Sequence, residues 1–142
     1  PTKWPQNIIP MLYGPPAYHL EAGELLNNVW YLTSVEDQQT WNERVPELLT
    51  LREHGWPVLG VSVEPMLGAI EPHWIEALDW VIVGGQSPPS AFQPEREWAE
   101  AITERAIESG VAVFQKNNLR PMFGHILRQE WPKAKEASCS PE

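Results

Sequence analysis

The chain has 142 residues and sets 19 acidic side chains against 10 basic ones, for a formal charge of -9. That length suits one domain with a real core, and the acidic balance leaves no basic stripe for nucleic acid or for an anionic membrane surface. A single cysteine, Cys139, excludes an intrachain disulfide scaffold, a thiolate zinc site and a cysteine-ligated iron–sulfur cluster within these residues. No apolar run approaches the roughly 20 residues that a spanning helix needs, and no signal peptide is visible, so a cytoplasmic compartment is expected.

Residues 1–27 read as an irregular lead-in of turns, with one or two helical turns around Glu21–Leu26. A βα-repeat domain is expected over 28–130. Val29–Val35 is rich in β-branched and aromatic residues and predicts the first strand. Asp37 is placed to cap a helix from Gln38 to about Glu53, with Trp41, Val45, Leu48 and Leu49 at helical spacing. Pro46 falls inside that helix and is expected to bend or break it. Val58–Val63 predicts the second strand, and Pro72–Ala77 a weaker helix.

The third strand is the stretch around which the rest is arranged. In Leu78-Asp79-Trp80-Val81-Ile82-Val83-Gly84-Gly85, an apolar run meets a glycine pair, as in a strand buried on both faces. Pro94 suits the start of a helix running to Ser109, with Trp98, Ile102, Ala106 and Ile107 as its buried stripe and Gly110 as its stop. Val111–Gln115 predicts the last strand and 119–130 a final short helix. The polar tail, 131–142, is expected to be disordered. Strand and helix in alternation predict an α/β fold: a parallel sheet of about four strands in βα repeats, covered by helices on both faces. A small open sheet and half of a closed barrel both satisfy that pattern.

The strand ends carry the chemistry. The first two share the pattern Ser-Val-Glu, at Ser34-Val35-Glu36 and Ser62-Val63-Glu64. The third ends in Gly84-Gly85-Gln86-Ser87 and the fourth in Gln115-Lys116-Asn117-Asn118. In α/β proteins, sites gather at this end of the strands. The candidates are Glu36, Glu64 and Lys116 as catalytic residues, with Ser34, Gly84, Gly85, Gln86 and Ser87 lining a cofactor site. Each has a plainer reading: Glu36 and Glu64 as turn caps or solvated carboxylates, the glycine pair as a simple turn, and Lys116 as the partner of Glu64 rather than of a ligand. No phosphate loop or dinucleotide signature follows the glycines. His19, His54, His73 and His125 lack ligand spacing, so no metal site is expected.

Thr2-Lys3-Trp4-Pro5-Gln6, Asn28 to Gln38, Ser62-Val63-Glu64-Pro65-Met66-Leu67-Gly68 and Asp79 to Gly85 stand in the order and spacing of the motifs of one family. They resemble phage-associated proteins of unknown function related to the radical S-adenosylmethionine (SAM) enzymes. The resemblance implies the second half of a radical-SAM-type (TIM-like) barrel, with SAM as the cofactor and Ser34, Glu36, Glu64, Gly84 and Gly85 as the matching positions. It also implies that the thiolates for a four-iron cluster lie upstream of anything here, so this chain alone is expected to hold no cofactor chemistry. Two motifs depart from the family's pattern. Gly84-Gly85-Gln86-Ser87-Pro88-Pro89 stands where the family reads Gly-Gly-Glu-Ser-Gly-Pro, and Lys116-Asn117-Asn118-Leu119 where it reads Lys-Gln-Trp-Gly.

Three functions fit these expectations. The first is a relative of the radical-SAM proteins that is catalytically silent alone. The second is a SAM- or nucleotide-binding module acting with a separate cluster-bearing chain. The third is a cluster-independent hydrolase or lyase using Glu36 and Glu64 as an acid–base pair. An exposed strand edge and inner face would demand a cover, so a homo-oligomer or a complementary N-terminal half-barrel chain is the expected partner.

Overall fold

The computed structural model describes Lys3, residues 29–88 and residues 91–133. The rest of the lead-in and the tail from residue 134 onward, with Cys139, lie outside the described residues. Four strands, β1 (Tyr31–Val35), β2 (Leu59–Val63), β3 (Trp80–Val83) and β4 (Ala112–Gln115), form one parallel sheet in the order β1-β2-β3-β4. Among the described residues three helices accompany them: α1 (Gln38–Leu49), α2 (Arg96–Glu108) and the single turn α3 (Arg120–Phe123).

Register decides which residues share a face. Val61 pairs with Thr33 and Val81, and Val81 with Val113. By the two-residue alternation of strands, these residues point one way with Val35, Leu59, Val63 and Val83. All of the valines, with Leu59, join one buried cluster with Trp41, Val45 and Leu48 of α1 and Ala99, Ile102 and Ala106 of α2. Helices on both faces were expected; instead both long helices pack their apolar stripes on this one face. Strand order without reversal accounts for it, because successive crossovers of the same hand return on the same side. The opposite face carries Leu32, Ser34, Gly60, Ser62, Ile82 and Phe114. At its amino end it is filled by Trp30, Trp80 and Trp131, with Trp80 4.9 Å from Trp131 and 5.8 Å from Trp30 between ring centroids.

The helices start where the sequence places them and stop for local reasons. Asp37 accepts from the Thr40 N–H at 2.8 Å while the Thr40 hydroxyl accepts from the Asp37 N–H at 3.0 Å, a reciprocal cap. Pro46 does not break α1. The carbonyl it leaves without an N–H belongs to Asn42, which is exposed, so water can satisfy it and the penalty is local. The helix gives way at Thr50 to a 3-10 turn, Thr50–His54, rather than continuing to Glu53. Between β2 and β3 the expected helix shrinks to the 3-10 turn Ile75–Ala77. That loop is pinned instead to α1: the Gln38 side chain bonds both the N–H (2.6 Å) and the carbonyl (3.2 Å) of Glu71, and the Trp41 indole donates to the His73 carbonyl at 3.1 Å. The final helix, expected over 119–130, ends at Phe123, because Gly124 takes a φ of 76°. The chain beyond it runs antiparallel along β4, with Gln129 opposite Phe114, so the β4 edge, expected open, is closed by the protein's own residues.

The backbone N–H of Thr40, and then its hydroxyl, hold the Asp37 carboxyl below its ordinary value of 3.8. A folded-state value below the unfolded one stabilises fully above the unfolded value and is lost as pH falls through the folded one. Asp37→Ala is therefore expected to cost about 1 kcal/mol at neutral pH. In urea titrations the gap between wild type and variant should close on acidification below the ordinary aspartate range; a constant gap would mean that the cap's charge contributes nothing.

Candidate functional site at the carboxyl rim

Val35, Val63, Val83 and Gln115 are aligned across the sheet by its pairing, so the next residues, Glu36, Glu64, Gly84 and Lys116, leave it along one edge. One position earlier Ser34 pairs with Ser62, and both lie on the face opposite the helices. The repeated Ser-Val-Glu thus becomes two adjacent copies of one geometry: a serine under the rim and a carboxylate at it.

The second copy does the spanning. Glu64 leaves β2, passes over Gly84 just beyond β3 and forms an ion pair with Lys116 Nζ beyond β4. Two strand spacings separate β2 from β4, about 10 Å in all, so the two long side chains must meet above the strand between them. A Cβ on Gly84 would sit 3.0 Å from Glu64 Oε1 and 3.2 Å from its Cγ. The glycine is there because the bridge lies on it. Gly85 has a comparable reason, since a Cβ there would fall 2.1 Å from Gln93 Oε1. The close approaches that paired glycines allow are made by the chain's own side chains.

Asn118 ties the pieces together. Its Nδ2 donates to the Gly85 carbonyl at 2.7 Å and reaches Glu64 Oε1 at 3.4 Å, and its Oδ1 accepts from the Gly85 N–H at 3.2 Å. One amide thus fixes both polar groups of a glycine that has no side chain of its own to hold it. Gln86 is held through its backbone: its N–H donates to the Phe92 carbonyl at 3.2 Å, and its carbonyl accepts from Gln93 Nε2 at 2.9 Å. Gln86 and Ser87 are exposed.

The first copy is wired differently. Glu36 accepts from Lys3 Nζ at 2.9 Å through one oxygen and from Arg44 Nη1 at 2.9 Å through the other, and Arg44 also reaches the Ser34 carbonyl at 2.7 Å. Among the described residues no hydrogen bond or ion pair joins Glu36 to Glu64. Each carboxylate is held by its own cationic partners, Lys3 and Arg44 for Glu36 and Lys116 for Glu64. The rim is also apolar at its margin, with Leu67 and Phe92 each 46% exposed on the loops after β2 and β3.

The structure therefore brings Glu64, Gly84, Gly85 and Lys116 into one contact set and leaves Glu36 beside it in a second. Lys3, Arg44 and Asn118 are members that sequence reasoning did not single out. Lys3 and Asn118 fall within quoted motifs, but Arg44 sits mid-helix with no local signal. Among the described residues there is no group of three or more His, Cys, Asp or Glu that could hold a metal ion, and no helix is long and apolar enough to cross a membrane. An open cleft of about 770 Å³ lies at the other end of the strands, against Gly110, Val111 and Trp131, away from the rim.

The family model described as "Protein of unknown function (DUF5131)" matches residues 2–135. No curated protein and no solved structure matches the chain.

Proposed function

The chain belongs to the DUF5131 family, and from that premise we propose that it is the ligand-gripping portion of a radical-SAM-like barrel, without catalytic activity on its own. One observation carries the reading: the Glu64–Lys116 pair laid across Gly84 and fixed by Asn118. The Lys116 side chain is 41% exposed and the Glu64 side chain 22%, so a ligand can reach both charges from solvent. A carboxylate beside an ammonium complements a zwitterion, and the amino-acid end of SAM is one. Glu64 and Lys116 are the residues that would hold it, with the Ser34 and Ser62 positions beneath the rim.

The residues fit that end of the molecule better than they fit a nucleotide. Glu64 and Gln93 already cover the two glycines, so no bare backbone is left for a phosphate to approach. SAM bound beside a reduced iron–sulfur cluster supplies a carbon radical, and the one cysteine within these residues, Cys139, does not suffice to ligate such a cluster. The chain's own part is to grip and orient. Sequential strand order with both long helices on one face favours a barrel wall over a doubly wound sheet. The separate engagement of Glu36 and Glu64 speaks for gripping over acid–base hydrolysis.

Calorimetric titration with SAM tests the reading. Saturable binding is expected, weakened at least about tenfold, or ~1.4 kcal/mol, in Lys116→Ala. The absence of heat at millimolar SAM would remove it.

A further inference from the structure

Beyond α3 the chain turns back and adds itself to the sheet. Gln115 N–H donates to the Arg128 carbonyl at 2.7 Å, Glu130 N–H donates to the Val113 carbonyl at 2.8 Å, and Val113 N–H reaches a Glu130 carboxylate oxygen at 3.2 Å. Gln129 Nε2 bonds the Gln115 carbonyl at 3.1 Å, and the Trp80 indole donates to the Glu130 carbonyl at 2.9 Å. Trp131 then lies on Trp80 with ring centroids 4.9 Å apart, yet remains 63% exposed. This is strand addition: main-chain bonds give the hold, and one aromatic gives the anchor.

Nothing in that set of contacts requires the strap and the edge to belong to one molecule except the hinge between them. The hinge, Gly124–Leu127, begins at a glycine with φ 76°, and its first three residues are exposed. Ile126 is 91% exposed, the most open large apolar side chain among the described residues. It is left almost wholly open to solvent.

We propose that residues 128–132 of one copy occupy the β4 edge of a second copy, the two exchanging straps about Gly124–Leu127, with Ile126 covered where the two hinges meet. The exchange is reciprocal and closes as a two-fold dimer. Every strap contact is kept, so the dimer and the monomer differ only in the hinge and in the entropy of association. The intramolecular strap wins at low concentration, because a short linker gives it an effective concentration in the millimolar range. Exchange requires the strap to detach first, so the two forms interconvert slowly.

Light scattering after size exclusion on the full chain tests this. Incubation at roughly 500 µM is expected to give a doubled mass that persists for hours after dilution to about 10 µM. Ile126→Asp, at a position too exposed to unfold the monomer, is expected to lower the dimer fraction at least about tenfold. A single monomer mass at both concentrations would overturn the proposal. So would a dimer that dissociates at once on dilution, or an Ile126→Asp variant that dimerises as wild type does.

Discussion

Asp79→Ala is expected to lower stability by about 3 kcal/mol. The carboxylate is buried at the start of β3. Its Oδ2 accepts from Arg52 Nη2 at 2.5 Å and from the buried Leu59 N–H at 2.8 Å, while its own N–H donates to the Leu59 carbonyl at 2.8 Å. Asp79 thus sets β3 against β2 one residue before the first pair, Gly60 with Trp80. Alanine would leave the Leu59 donor unpaired in the core, which costs about 1–3 kcal/mol. It would also strip Arg52 of its counter-charge. Arg52 keeps partial exposure and its bonds to the Trp56, Pro57 and Ala77 carbonyls, which holds the loss below that of a fully enclosed pair. Asn at the same position retains an acceptor for Leu59 and is expected to lose about half as much. Urea unfolding measures both; an alanine variant within about 1 kcal/mol of wild type would show that Asp79 does not set the register.

Gly60→Ala is expected to cost about 2–3 kcal/mol, although the same change usually stabilises a strand slightly. A Cβ on Gly60 would stand 2.8 Å from the Trp80 carbonyl oxygen, 3.1 Å from Trp80 Cβ and 3.3 Å from Leu32 Cγ. The nearest of these is backbone in the paired position across β2 and β3, and it cannot rotate away. Relief requires the two strands to separate where Trp80 anchors the aromatic group and, through it, Trp131. The expected signature is a lowered urea midpoint together with a weakened near-ultraviolet tryptophan signal. An unchanged midpoint would mean that the sheet yields more easily than its pairing implies. Gly84 and Gly85 differ in this respect, because their nearest neighbours are the flexible ends of Glu64 and Gln93.

Much of the sheet was legible in the sequence because parallel strands are short, apolar and closed by turn residues. Trp80–Val83, running into Gly84-Gly85, is the clearest case. The carboxyl-edge placement of Glu36, Glu64 and Lys116 followed from chain order alone. What could not be read there is long-range. Lys3 and Arg44 reach Glu36 from opposite sides of the sequence, and Asn118 reaches Gly85 across 33 residues. Residues 124–130 were expected to be helical because an isolated apolar stretch has no fixed period. Gly124 and the alternating Gln129, Glu130 and Trp131 were the available cue for an extended strap. The usual penalty for Pro46 stays local because Asn42, whose carbonyl it leaves without an N–H, is exposed, and that exposure depends on how the helix packs.

The carboxyl rim, where Glu64 and Lys116 meet over Gly84, is the proposed binding place of a small zwitterion. Titrating the ¹⁵N-labelled protein with SAM and following amide shifts locates the contact residue by residue. The shifts are expected to concentrate on Glu64, Gly84, Gly85, Lys116 and Asn118. Shifts confined instead to Gly110, Val111 and Trp131, at the amino end of the strands, would contradict it.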